Sequence, residues 1–97
     1  MITINFYTTL RLMLKCREVK IEIPGQTSIL DVLERTEVVI ENKLSLRFIW
    51  KLLDDDGEIK RGTIIMINGK NILDSDGLSC QVSDGDTIAL FPPGGGG

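Results

Sequence analysis

The 97 residues of this chain suffice for one domain, because single domains commonly hold about 100 to 150 residues. Eleven Lys and Arg against 14 Asp and Glu give a formal net charge of −3, so neither nucleic acid nor a membrane surface is an expected partner. The sequence has no histidine, which removes the commonest general base and every Ser-His or Cys-His nucleophile pair.

Two segments near the start of the chain alternate between apolar and polar residues. In the first, Ile2, Ile4 and Phe6 share one side, which predicts a half-buried strand. In the second, residues 17–24, the alternation continues until Pro24 ends it. We interpret residues 9–16 as a short connection, which makes the two strands an antiparallel hairpin.

The principal helix is predicted to begin at residue 29, because the hydroxyls of Thr27 and Ser28 can serve as N-caps. One helical face follows at spacings of three and four residues: Ile29, Val32, Leu33 and Thr36. The β-branched run at residues 37–40 could also be a strand on propensity alone, but we extend the helix through it.

A second, shorter helix is predicted within residues 44–53. Its apolar stripe consists of Leu46, Ile49, Trp50 and Leu53. The acidic residues that follow, 54–56, end it in a turn with Gly57. They lack the alternating oxygen ligands of a calcium loop, so we interpret them as a solvated turn.

Three strands are predicted in the last third of the chain. Residues 64–67 are β-branched and apolar, and Asn68 and Gly69 then favour a hairpin turn to a short edge strand at residues 70–73. A turn at residues 83–86 precedes a last strand over residues 87–91, which Pro92 and Pro93 end.

This order of elements predicts an α+β fold, with a mixed sheet of about five strands, one principal helix and a second shorter helix. A ubiquitin-like β-grasp topology fits it, with the first and last strands parallel and adjacent at the centre of the sheet. We therefore expect a β-grasp domain over residues 1–91 and a flexible tail over residues 92–97 that leaves from the middle of the sheet.

The two cysteines, Cys16 and Cys80, form no C-x-x-C pair. Such lone cysteines are commonly small buried hydrophobic residues, although a disulfide between them stays open. The first residues show no leader pattern, and no apolar run approaches the about 18 residues of a membrane span. The sequence therefore predicts a cytoplasmic protein.

The tail is the one segment whose residues point to a particular chemistry. Two prolines precede four glycines, which are Gly94, Gly95, Gly96 and Gly97. Such a run can be a disordered end, or it can enter a channel too narrow for any Cβ atom and present its carboxylate there. In the second case Pro92 and Pro93 keep the root extended and reduce the entropy lost on insertion.

The run from Gly85 to Gly97, with residues 67–72 and the N-terminal strands, resembles the small subunit of molybdopterin synthase, in the sulfur-carrier branch of the ubiquitin-like β-grasp proteins. Phe91, Pro92 and Pro93 before a glycine end are the most specific part of the resemblance. The resemblance covers the whole chain.

The resemblance implies that the Gly97 carboxylate is the reactive group. An adenylating activating enzyme, which uses ATP and Mg, converts this carboxylate to an acyl-adenylate. The persulfide of a sulfur donor then displaces AMP, and the product is a thiocarboxylate. The large catalytic subunit of molybdopterin synthase accepts the sulfur. The chain itself is then a carrier subunit that binds no cofactor or metal and has no catalytic side chains.

A partner-binding surface is expected on the open side of the sheet. In the last strand, Ala89 and Phe91 point away from the helix, and two residues of the apolar strand at 64–67 should lie beside them. We name Ile64 and Met66 as candidates. The alternative is that loops or the second helix cover this side and that it is core.

Three other functions stay open on the sequence. The activated Gly97 could form isopeptide bonds with lysines, as in a ubiquitin-like modifier. The carrier could also supply thiamine synthesis or tRNA thiolation. A plain β-grasp binding module would require that the tail be dispensable.

Overall fold

A computed structural model describes residues 1–94 of the chain. Gly95, Gly96 and Gly97 of the predicted tail lie outside the described residues. Two sheets are formed by seven strands in the described part: β1 (Ile2–Phe6), β2 (Glu18–Ile21), β3 (Thr27–Ser28), β4 (Ile64–Ile67), β5 (Lys70–Asn71), β6 (Gln81–Val82) and β7 (Thr87–Phe91). The helices are α1 (Thr8–Leu14) and α2 (Ile29–Leu44).

The main sheet has the strand order β2-β1-β7-β4-β5. The central strands β1 and β7 are parallel, and the other pairs are antiparallel. A small second sheet pairs β3 with β6. The predicted α+β architecture with a mixed five-stranded sheet and parallel central strands is confirmed.

Helix α2 covers one face of this sheet. The Ser28 hydroxyl caps it by accepting from the Asp31 backbone N–H at 3.1 Å. The predicted apolar face is buried, and the hydroxyl of Thr36, its one polar member, donates to the Val32 carbonyl at 2.7 Å. The helix runs through the β-branched residues 37–40, as predicted, and ends before Ser45, which adopts a left-handed conformation with φ of 58°.

The hydrophobic core lies between α2 and the inner face of the sheet. Both central strands contribute alternate side chains to it, and its members from these strands are Ile2, Ile4, Phe6, Ile88 and Leu90. The predicted faces of the first and last strands are therefore confirmed. Within residues 1–94, neither helix is long and apolar enough to cross a membrane.

The connection between β1 and β2 differs from the prediction. It contains helix α1, whose Leu10 and Leu14 are buried one helical turn apart in the core. The antiparallel pairing of β1 with β2 is confirmed, but the link is not a simple hairpin loop. The spacing of four between Leu10 and Leu14 was the helical signal in the sequence.

The predicted second helix within residues 44–53 is wrong. The structure has only a 3₁₀ turn there, Ile49–Lys51, and Phe48 and Leu52 are the fully buried residues, whereas Trp50 is 57% exposed. One carboxylate oxygen of Glu37 accepts from the backbone N–H groups of Phe48 and Ile49, at 2.9 Å each. This cap from α2 fixes a turn, in which Phe48 and Leu52 point inward while Leu46 and Trp50 of the predicted stripe are exposed.

Three smaller predictions in loops and turns are also resolved. The acidic residues 54–56 form an exposed turn, in which Asp54 accepts from the N–H groups of Asp56 and Glu58. Strand β5 ends at Asn71, earlier than predicted, because a 3₁₀ turn begins at Ile72. Cys80 is buried, Cys16 is half-buried, and both thiols are free.

Candidate functional site at the root of the tail

The root of the tail leaves the sheet at its centre. Strand β7 is hydrogen-bonded to β1 on one side and to β4 on the other, so Leu90 is paired on both sides and Phe91, the last residue, is paired with β4. The backbone N–H of Tyr7, just past the end of β1, donates to the Leu90 carbonyl at 3.1 Å. This contact continues the parallel pairing and places Tyr7 beside Phe91.

Phe91 is half-buried in an aromatic stack. Its ring lies parallel to that of Tyr7, with an interplanar angle of 9° and centroids 4.3 Å apart. The Arg11 guanidinium lies 5.1 Å from the Tyr7 centroid, and its Nε donates to the Phe6 carbonyl at 3.0 Å. A cation and two stacked rings thus fix the orientation of the last β7 side chain.

The four residues predicted to bind a partner lie together on the open face of the sheet. Ile64 is paired with Phe91, and Met66 with Ala89, across the antiparallel β4 and β7. Directly paired residues share a face, whereas Ile65 points into the core and is 1% exposed. Ile64 is 37% exposed, so the second helix does not cover it. Their role in binding stays a prediction.

The prolines of the tail root are packed on the domain. Pro92 is buried, and Pro93 is half-buried. A Cβ atom added to Gly62 would lie 3.3 Å from the Cβ of Pro93, closer than ordinary van der Waals contact. Gly62 has a φ of 90° and Gly94 a φ of 74°, both in the region that favours glycine. The loop before β4 therefore supports the tail at Pro93.

Sequence reasoning did not identify Tyr7 and Gly62 as parts of this site. Tyr7 had a usable signal, because it follows an alternating strand on the face opposite to the core. Gly62 had none, since its contact with Pro93 joins segments that are 31 positions apart. Gly94 is exposed, and Gly95, Gly96 and Gly97 lie outside the described residues.

The described residues offer no built metal centre. Residues 1–94 contain no group of three or more Cys, Asp or Glu side chains arranged to hold a metal ion. What this end of the described structure provides is a root packed on the domain, after which the sequence holds only glycines.

The model of one protein family, the ThiS family, matches residues 4–97, which include the whole tail. The chain belongs to the ThiS family. This places it among the ubiquitin-like sulfur carriers, so the resemblance described above is confirmed at the level of that family. A ThiS-family chain is a small carrier or modifier protein rather than an enzyme.

Two curated proteins and one solved structure illustrate the range of this family. Small archaeal modifier protein 3 of Haloferax volcanii is 28% identical over 94 residues, which cover 97% of this chain and 96% of that protein. A candidate sulfur carrier protein of Archaeoglobus fulgidus is 28% identical over 60 residues, or 62% of this chain and 68% of that protein. The crystal structure of SAMP1 from Haloferax volcanii superposes with a TM-score of 0.75 at 25% identity, covering 99% and 98% of the two chains. The ubiquitin-like β-grasp fold is thereby confirmed.

Proposed function

We propose that this ThiS-family chain is a sulfur carrier for molybdopterin synthesis, in which the Gly97 carboxylate is adenylated and then converted to a thiocarboxylate. The observation that carries the proposal is the tail root. Pro92 is buried and Pro93 rests on Gly62, and only glycines follow. A rigid base with a segment lacking side chains is suited to deliver a terminal group into a narrow active site.

The chemistry requires an external activating enzyme, because a carboxylate is a poor electrophile. Attack of the carboxylate on ATP, with Mg bound to that enzyme, releases pyrophosphate and gives the acyl-adenylate. The terminal sulfur of a donor persulfide attacks the acyl carbon and expels AMP, which forms an acyl disulfide. A second thiol of the donor then cleaves the S–S bond, leaving a thiocarboxylate on Gly97 and a disulfide on the donor.

This chain contributes positioning rather than proton transfer. The Tyr7 and Phe91 stack and the contact of Pro93 with Gly62 hold the root in one direction. They reduce the conformational freedom that the tail loses when it enters a pocket. Acid and base groups come from the partners, and the chain binds no cofactor of its own.

We propose that the open face binds the large catalytic subunit of molybdopterin synthase. Ile64, Met66, Ala89 and Phe91 form a continuous apolar surface that adjoins the tail root. A partner seated there receives the tail without any change in the domain. We expect this reaction in the cytoplasm, with neither nucleic acid nor membrane involved.

Intact-mass measurement tests the proposal. The purified chain is incubated with its activating enzyme, ATP, Mg and a persulfide donor. We expect a mass increase equal to the replacement of one carboxyl oxygen by sulfur, and sulfur-dependent molybdopterin formation when the large subunit and pterin precursor are added. A chain that is never adenylated, or whose thiocarboxylate the large subunit does not consume, contradicts it.

A ubiquitin-like modifier is the second candidate, favoured by the names of the Haloferax volcanii relatives. In that case the adenylated Gly97 reacts with lysine amines of other proteins and forms isopeptide bonds. Mass analysis of the chain from its own cells distinguishes the two, because lysine adducts then replace the thiocarboxylate. If thiamine synthesis or tRNA thiolation consumes the thiocarboxylate instead, the chain is still a sulfur carrier but serves another pathway.

A further inference from the structure

Strand β2 forms one edge of the main sheet, with β1 as its neighbour on the inner side. The Phe6 N–H donates to the Arg17 carbonyl at 2.9 Å, and antiparallel pairs alternate, so Val19 also exchanges its hydrogen bonds with β1. The backbone N–H and C=O groups of Glu18 and Lys20 therefore point outward. An edge of this kind can accept an additional strand through its backbone groups.

A groove with a volume of about 440 Å³ lies between this edge and the C-terminal part of α2. Its apolar lining comes from α1, β2 and α2, and the members are Leu14, Val19, Ile40 and Leu44. Leu44 is 42% exposed, and Val19 is half-buried on the helix side of β2, because it is paired with the buried Ile4. A strand added to β2 would place every second side chain over these apolar atoms.

Positive charges predominate around the groove. Among the described residues that line it, Lys15, Lys20 and Lys43 stand against one carboxylate, that of Glu18. The three lysines are exposed, and none of them forms an ion pair within residues 1–94. The chain as a whole has a net charge of −3, so this excess of positive charge is local. The charges favour an occupant that carries carboxylates and disfavour a basic one.

The same charges disfavour pairing of β2 with a second copy of itself. An antiparallel pair centred on Val19 would set Glu18 of each copy against Lys20 of the other, which is favourable. However, its twofold axis is perpendicular to the sheet, so both copies of α2 would lie on the same side. Lys15 and Lys43 of the two grooves would then approach each other without carboxylates between them. A strand from another protein avoids this repulsion.

We infer that the groove between β2 and α2 binds an extended acidic segment of another protein as an added strand. The backbone of that segment bonds to Glu18 and Lys20, and its alternate apolar side chains cover Val19 and the other apolar lining residues. Carboxylates on either side of the apolar stretch pair with Lys15 and Lys43. The groove lies on the helix side of the sheet, so the open face stays accessible and the interaction goes beyond the proposed carrier function.

The probe is a synthetic peptide with four alternating valine and isoleucine residues and two aspartates at each end. Titration calorimetry should show an equimolar complex with the native chain. A peptide with the same apolar residues but lysines in place of the aspartates should bind at least about tenfold more weakly. An acidic peptide with proline in its apolar part should also bind more weakly, because proline has no N–H to donate to the edge.

Variants of the chain separate the charge contribution from the backbone contribution. Lys15→Glu/Lys43→Glu should weaken binding of the acidic peptide at least about tenfold and flatten its dependence on NaCl. Lys20→Pro and Lys20→Ala both remove the ammonium group, but only proline also removes the outward N–H, so Lys20→Pro should bind about fivefold more weakly than Lys20→Ala. Arg61→Glu/Lys70→Glu changes two exposed cations outside the groove and should keep the native affinity. Thermal unfolding verifies that each variant is folded.

Cys16 reports whether the peptide occupies the groove. Its half-buried thiol lines the groove and donates to the Glu18 carbonyl at 3.2 Å, a weak bond that an added strand displaces. Cys80 is buried and lies outside the groove. Saturating acidic peptide should slow alkylation of Cys16 by iodoacetamide at least about fivefold and leave the rate at Cys80 unchanged.

Three results would overturn the inference. The first is that the native chain does not bind the acidic peptide, or that the Lys15→Glu/Lys43→Glu variant binds it equally well. The second is binding without protection of Cys16, since the peptide then occupies another surface. The third is a dimer of the native chain in sedimentation that the Lys20→Pro variant fails to form, because a second copy then occupies the edge. None of these measurements involves adenylation of the tail, so the proposed function is tested separately.

Discussion

At the residue scale, the contact of Pro93 with Gly62 joins two distant segments at the root of the tail. Gly62 tolerates the approach of Pro93 because it has no Cβ and because its φ of 90° suits glycine. An experiment must separate the effect of the Pro93 contact from the effect of the backbone conformation, because any side chain at this φ is strained whether or not Pro93 is near.

Gly62→Ala should slow delivery of the tail more than it destabilises the domain. The new Cβ pushes Pro93 away, and displacements below an ångström already impair a positioned reaction. We expect kcat/KM for thiocarboxylate formation to fall at least about tenfold. Gly85→Ala is the matched control, because Gly85 has the same φ of 90° and open space around its Cα. Both should lose about 1 to 2 kcal/mol of stability. Equal activity of the two variants would show that Pro93 needs no support.

Asp31 should contribute to stability in a pH-dependent manner. Hydrogen bonds from Arg35 and Thr27 lower its pKa below the ordinary 3.8. The ionised carboxylate therefore stabilises the folded state above pH 3.8, and this contribution is lost as the pH falls through the lower folded pKa. Melting temperature measured against pH should fall less steeply in acid for Asp31→Asn than for the native chain. Asp55→Asn, in an exposed turn, should keep the native slope.

At the element scale, the segment that follows α2 shows how a cap decides which residues point inward. Glu37 on α2 binds the backbone of Phe48 and Ile49, so the chain turns instead of continuing as a helix. Phe48 then packs edge-to-face on Phe6, with centroids 5.5 Å apart and an angle of 71°.

Phe48→Ala should be far more destabilising than Trp50→Ala. Phe48 is fully buried, so its removal should cost about 3 to 5 kcal/mol of unfolding free energy. Trp50 is exposed, and its removal should cost about 1 kcal/mol or less. Urea denaturation measures both values. The helical stripe predicted from the sequence requires the reverse order, so this pair of variants distinguishes the two arrangements.

The outer face of β7 provides a matched pair for the proposed interface with the large subunit. Phe91→Asp puts a charge at the centre of the apolar surface and should weaken the complex by at least about 2 kcal/mol. Thr87→Asp places the same charge on the same strand face, at the end far from the tail. It should change the dissociation constant little. Unchanged affinity of a folded Phe91→Asp variant would exclude this face.

At the scale of the whole molecule, the parallel pairing of β1 with β7 places Met1 and the root of the tail at opposite ends of the sheet. Met1 and Asp84 form an ion pair at the end of the sheet where β1 begins, whereas Phe91 lies where β1 ends. An N-terminal affinity tag is therefore remote from the tail root. Variants of tail length can be purified through it without disturbing the reacting end.

Removal of Gly97 should abolish thiocarboxylate formation. The carboxylate is withdrawn by about 3.3 Å, which no adenylation pocket of fixed depth tolerates. One residue added after Gly97 should be equally damaging. Neither change touches the core, so the melting temperature should stay at the native value. Reconstituted cofactor synthesis compares the three tail lengths. Full activity from either altered chain would contradict the carrier function and favour the interpretation of the glycines as a disordered end.

The sequence by itself determined the elements whose signal is local. Alternation identified β1, β2 and β7 and their inner faces, and hydroxyl caps with a three- and four-residue spacing identified α2. The element order was enough to predict the parallel central strands, because a long crossover between first and last strand favours them. Strand periodicity placed Ala89 and Phe91 on the outer face of β7, but only the register of β4 with β7 decided that Ile64 and Met66 lie beside them.

Only the tertiary structure decided the features that depend on contacts between distant segments. The seven-residue α1 gains its stability from burying Leu10 and Leu14 rather than from propensity, so its pattern was easily missed. The cap from Glu37 turned a plausible helical stripe into a 3₁₀ turn and left Trp50 outside. The support of Pro93 by Gly62 likewise exists only once β4 and β7 are paired. Local periodicity carries no information about such contacts, because they are selected by the packing of the whole domain.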